Sequence, residues 1–116
     1  MKLNLCKDVA PAAMGEKVVR QLLAYEKGEN GYTVNLMTAQ AGAQAPPHSH
    51  PHRQVVYMIE GSGIFLSGEE EIRIQAGDVV QIDPDVPHTF TLVETDARWL
   101  EFFTPVREDF LPDADR

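Results

Sequence analysis

From Val18 onward the chain is cut into short apolar runs by glycine, proline, asparagine and aspartate, and no long helical pattern runs through them. Val18 to Tyr25 is the one stretch with a competing period, since Val19, Leu22, Leu23 and Glu26 have helical spacing. The turn signal Lys27-Gly28-Glu29-Asn30-Gly31 and the β-rich Tyr32 to Thr38 behind it favour a strand instead. Further strands are expected at Gln54–Ile59, Ile64–Ser67, Ile72–Gln75, Val79–Ile82, His88–Val93 and Arg98–Phe103. Many short strands with closely spaced turns imply an all-β sandwich or barrel.

Between them, Gly42 to Pro51 reads as a loop stiffened by Pro46, Pro47 and Pro51, whose fixed φ limits the unfolded ensemble. Gly68-Glu69-Glu70-Glu71 reads as a solvated hairpin tip, and Arg107 to Leu111 as a short turn or helical cap. No repeat, linker or low-complexity stretch divides the 116 residues, so a single domain 1–116 is expected, with a barrel core at about 18–104 and a C-terminal cap at 105–116.

The net charge of −8 opposes binding to nucleic acid or to an anionic membrane. It does not oppose a small anionic substrate, because a metal or an arginine reverses the field inside a pocket. No apolar run reaches the length of a membrane span, and Met1 to Ala13 has no signal-type apolar region, so the expected location is the cytoplasm. Cys6 has no partner for a disulfide and is read as a half-buried structural thiol.

Three of the four histidines fall in His48-Ser49-His50-Pro51-His52, and His88 stands alone. On an extended chain His48 and His50 point the same way. With the amide oxygen of Gln54 and the distant His88 they suggest a mononuclear site for one divalent transition metal ion, nickel, zinc, manganese or iron. His52 is read as a loop group outside that set. Three imidazoles and a neutral amide leave the charge of such an ion uncompensated, which strengthens it as a Lewis acid toward an anionic ligand.

The spacing Gly42-x5-His48-x-His50-x3-Gln54-x6-Gly61 resembles the first motif of the cupins, with Gln54 where that family usually has Glu. Gly77 to His88 resembles the second motif, with Asp83 and Asp85 in place of the usual Pro and Gly. Asp tolerates left-handed backbone better than most residues, so the turn is expected to survive. The resemblance covers about residues 18–111. It implies a double-stranded β-helix, a jelly-roll-type barrel with a metal near one mouth.

Two further stretches, His48 to Gln54 and Glu101-Phe102-Phe103-Thr104-Pro105-Val106-Arg107-Glu108-Asp109-Phe110, resemble the small cupins that convert unsaturated uronates into linear keto-uronates. In that group the tail acid is usually Asp and is the proposed catalytic group; here it is Glu101. The resemblance implies a metal held by His48, His50, Gln54 and His88, and Glu101 as acid/base. Strand alternation puts Trp99, Glu101 and Phe103 on one face, expected to be the barrel interior. Phe103 is expected to wall the sugar ring and Arg107 to pair with the carboxylate of a small sugar acid, unless Asp109 or Glu108 occupies it first.

Two other classes share the scaffold: a metal-dependent dioxygenase acting on a small organic substrate, and a non-catalytic cupin that binds sugar or metal. A homodimer is also expected, because Val55, Tyr57 and Ile59 alternate with Val56 and Met58 and leave neither face of that strand polar.

Overall fold

In the computed structural model, which describes residues 1–116, nine strands form two antiparallel sheets. They are β1 (Ala12–Ala13), β2 (Val18–Glu26), β3 (Tyr32–Ala39), β4 (Arg53–Glu60), β5 (Ser62–Ser67), β6 (Glu70–Gln75), β7 (Val79–Ile82), β8 (His88–Val93) and β9 (Ala97–Thr104). The larger sheet has the order β1-β2-β3-β9-β4-β7 and the smaller the order β6-β5-β8. Every strand expected from the sequence is present. The segment Val18–Glu26 is a strand, with a bulge between Leu22 and Ala24 that absorbs its irregular spacing. The two-residue β1, on the edge of β2, has no signal in the sequence beyond its neighbour.

The two sheets close on a core that includes Met37, Val56, Met58, Phe65, Ile74, Ile82 and Trp99. Alternation sets which face is inside. On β9, Trp99 and Phe103 are buried while Phe102 is exposed on the opposite face. Because β9 lies between β3 and β4, Glu101 is on a central strand and not on an edge in water.

Three expectations are corrected. Strand β4 is buried on one face only: Val56 and Met58 are inside, but Tyr57 and Ile59 keep 41% and 38% exposure, leaving an apolar outer surface. Leu100 and Phe102 lie on that outer side, half-buried and exposed. The hairpin tip is shorter than the acidic run, since Glu70 and Glu71 already pair with Ser67 and Leu66. Cys6 is exposed, because the N-terminal segment lies over the sheet rather than inside it. The C-terminal cap is a 3-10 turn over Glu108–Phe110.

Gly61 ends β4 with φ near +87°, and a Cβ there would come within 2.5 Å of the Asp96 carbonyl oxygen and 2.7 Å of the Ala97 Cα. Backbone cannot give way as a flexible side chain can. Gly77 has a similar φ of +95°, but nothing lies within 4 Å of its Cβ position. Gly61→Ala is therefore expected to lower unfolding free energy by about 2–4 kcal/mol, and Gly77→Ala by about 1 kcal/mol. Urea unfolding of the two variants measures the difference; equal losses would contradict the packing described for Gly61.

Candidate metal centre

The main chain sets the histidines before any side-chain contact does. His48 and His88 exchange both backbone hydrogen bonds, His48 N–H to His88 O at 3.1 Å and His88 N–H to His48 O at 2.9 Å. This bridge ties the proline-stiffened loop to β8 and brings the two rings to a centroid distance of 4.5 Å. A second tie comes from Asp85, whose N–H donates to the His50 carbonyl at 2.8 Å. Asp85 has φ +65°. It is the residue that replaces the usual turn glycine, and it takes up the left-handed geometry expected of that position.

One ligand atom from each of His48, His50 and His88 lies within 4.8 Å of the others. The donor set fits a cation. The His88 Nδ1 donates to the Val86 carbonyl at 2.8 Å, which leaves a lone pair on Nε2, and that atom is buried without a partner. The His50 Nδ1 lies 3.1 Å from the His52 carbonyl, which can only accept. Its Nε2 then also carries a lone pair, and it faces the Gln54 Oε1 at 2.9 Å. Two lone pairs aimed at each other repel unless a positive charge lies between them. Carbonyls hold the far side of these imidazoles, as is usual for metal-binding histidines. Burial pushes His88 down to about 4, against the opposing pull of its Val86 hydrogen bond, and lowers His48, with the neighbouring His50 adding to the effect. Both rings are neutral at physiological pH, the form that ligates.

Gln54 is the joint between this cluster and the acid. Its Nε2 donates to Glu101 Oε2 at 2.7 Å while its Oε1 faces His50. The register explains the contact: Gln54 stands opposite Phe103 on the β4–β9 ladder, one inward position along from Glu101. Glu101 is half-buried, and desolvation raises its carboxyl to about 7 against the opposing effects of Arg107, the Gln54 hydrogen bond and Arg20. A carboxyl with that value exists in both protonation states near neutral pH, as an acid/base group requires.

A cavity of about 380 Å³ opens onto these groups. Met37, Val56, Phe65 and Trp99 make its apolar part, and His48, His88, Gln54, Glu101 and Arg107 its polar part. Phe103 is in the wall, its ring edge-to-face with His50 at 5.4 Å. Arg107 lines the same cavity with its side chain 12% exposed. Its Nε and Nη2 are taken by the two oxygens of Asp109, at 2.9 and 2.8 Å, so the expected two-point clamp on a substrate is not free in this arrangement. Arg107 also packs over the rings of Phe103 and Phe110 at 4.8 and 4.3 Å.

Arg20 escaped the sequence reading. It is on β2 opposite Met37, an inward position, and packs over the Phe110 ring at 4.4 Å. Of the six arginines it alone has no carboxylate within salt-bridge distance. Burial lowers its guanidinium, while Asp109 and Glu101 act in the opposite direction. The alternation Val18, Arg20, Leu22 was the available signal. His52, left without a role, supplies the carbonyl that orients His50.

The geometry predicts binding of one divalent transition metal per chain. Elemental analysis and thermal unfolding with and without a chelator check it. His88→Ala is expected to abolish the metal-dependent rise in midpoint. Asp85→Val, which forces a β-branched residue into left-handed backbone, is expected to weaken binding through His50, whereas Asp85→Gly is expected to preserve it.

The comparisons with known proteins agree with this architecture. An alignment of 52 positions, covering 41% of the chain, is 40% identical to acireductone dioxygenase from Leptospira biflexa serovar Patoc, and it spans 29% of that protein's length. An RmlC-like cupin from Shewanella frigidimarina superposes with a TM-score of 0.87 at 24% identity, covering 96% of each chain. KdgF from Halomonas sp. superposes with a TM-score of 0.85 at 20% identity over 96% of this chain and 99% of that one. Ectoine synthase from P. lautus gives 0.78 at 20% identity over 91% and 79%. At these identities the structures speak for the fold. Residues 35–103, more than half of the chain, match the model of the cupin domain, and the protein belongs to the cupin family.

Proposed function

We propose that this cupin is a metal-dependent enzyme that opens the ring of unsaturated uronates to linear keto-uronates. The observation that carries the reading is the chain His50, Gln54, Glu101. It sets a half-buried carboxyl 2.7 Å from an amide whose other end faces the histidine cluster. The motif resemblance at His48–Gln54 and Glu101–Phe110 supplies the substrate class.

The substrate is a cyclic enol ether with a carboxylate beside the double bond and a hemiacetal at the other end. Its opening is an isomerisation: the hemiacetal hydroxyl loses a proton, the bond from that carbon to the ring oxygen breaks, and the enol so released is protonated at carbon. Glu101 is the group assigned to remove the first proton and return one to carbon. A divalent ion held by His48, His50, Gln54 and His88 supplies a Lewis-acid field for a carboxylate or enol oxygen. Gln54 keeps Glu101 aimed at the substrate side of the site. Phe103 and Trp99 exclude water and offer apolar walls to a ring. The free Nη1 of Arg107, with Asp109 holding the rest of the fork, presents positive charge to the substrate's carboxylate.

A second reading has a specific observation behind it, the stretch similar to acireductone dioxygenase. It makes the chain a metal-dependent dioxygenase of a small organic substrate. Oxygen uptake separates the two, since ring opening consumes none.

Loss of alkene absorbance from unsaturated galacturonate, measured against the spontaneous reaction, tests the proposal; no acceleration would contradict it. Glu101→Gln is expected to lower kcat by about 10²–10⁴-fold with metal content unchanged. Gln54→Glu is expected to retain metal and lose activity, because a carboxylate at position 54 abuts Glu101 and cannot donate to it.

A further inference from the structure

Asn35 is fully buried, at 0% exposure, and neither its Nδ2 nor its Oδ1 has a hydrogen-bond partner. An unsatisfied buried amide costs about 1–3 kcal/mol, and an apolar residue in its place would avoid the cost. The position therefore calls for an explanation that packing does not give.

The sheet register gives one. Asn35 pairs with Leu22 on one side and with Glu101 on the other. Directly opposed residues on a shared face bring their Cβ atoms to about 4.5–5.5 Å. Leu22 has nothing polar to offer. Along the inward face of β3, Met37 has no polar group, and the Thr33 hydroxyl turns to the Arg107 N–H, which it accepts at 2.8 Å, and makes no bond to Asn35. Glu101 has an oxygen to offer, because Gln54 engages Oε2 and Oε1 has no partner among the hydrogen bonds.

We propose that Asn35 is a positioning residue for Glu101. Gln54 holds the carboxyl from the β4 side, and Asn35, whose amide is unbonded in this structure, is the group assigned to engage it from the β3 side. Either end of the Asn35 amide serves: Nδ2 donates to a carboxylate oxygen, and Oδ1 accepts from a protonated one. Asn35 acts through Glu101 and needs no contact with substrate. The catalytic consequence rests on the reading of Glu101 as the acid/base group; the contact itself does not.

A double-mutant cycle in thermal unfolding tests it on the protein as purified, at matched metal content. The variants are Asn35→Leu, Glu101→Gln and the pair. Coupling is expected: the midpoint of the double variant should depart from the sum of the single shifts by about 2 °C or more. Additive shifts would overturn the proposal and leave Asn35 a plain buried amide. If Asn35→Leu does not fold, Asn35→Ala carries the same cycle. In turnover of unsaturated galacturonate, Asn35→Leu is expected to lower kcat about tenfold or more with KM and metal content little changed, because a misaimed acid slows the step without weakening binding. An unchanged kcat in a coupled pair would overturn the positioning role. A wild-type protein inactive on that substrate would remove the uronate reading, while the cycle, which uses no substrate, would still decide the Asn35–Glu101 contact.

Discussion

The side-chain amide of Gln54 has two different ends, and the site depends on both. Its oxygen faces the Nε2 of His50, and its nitrogen donates to Glu101. A glutamate in the same place would offer the histidine cluster a stronger anionic ligand. It would also set a second carboxylate against Glu101, and two carboxylates in contact cannot both ionise at ordinary pH. The departure from the usual cupin glutamate is thus matched to an acid three residues from the end of β9. A less neutralised charge at the proposed metal and a fixed orientation for Glu101 follow from the same atom change.

What makes so small a joint dependable is the backbone around it. The His48–His88 bridge and the Asp85–His50 hydrogen bond fix three imidazoles through main-chain contacts. Carbonyls of Val86 and His52 then turn two of the rings so that the remaining nitrogens converge. The ordering of causes runs from proline-stiffened loop and left-handed Asp85, to backbone bridges, to ring orientation. The neutral imidazoles and raised Glu101 carboxyl come last, as consequences of enclosure.

The sequence carried the parts of this that obey a period or a motif. Strand alternation predicted that Trp99, Glu101 and Phe103 face inward, and they do. Turn residues located every main strand, and the ligand spacing located the histidine cluster. Alternation misled at β4, where two apolar faces were read as two buried faces; a sheet's outer surface also tolerates Tyr57 and Ile59. Arg20 and Asn35 were overlooked for a different reason. Each is a lone polar residue on an inward face, and its meaning comes from which strand lies beside it. Sheet order β2-β3-β9-β4 is set by long-range pairing, and no local pattern encodes it. Arg107 was found, but its capture by Asp109 depends on the 3-10 turn that brings the carboxylate back.

The cavity lining divides into apolar side chains and a set of imidazole, amide, carboxyl and guanidinium groups. That division suits a ring compound whose charged end meets the metal side. Whatever the substrate, Gln54 is placed to be shared between a metal on the histidine cluster and Glu101. Anomalous diffraction from crystals of the metal-loaded protein tests it most directly. One anomalous peak is expected, ligated by His48, His50, His88 and the oxygen of Gln54, with the Gln54 nitrogen still on Glu101. A peak ligated by Glu101 itself, or one with Gln54 turned away from the metal, would contradict it.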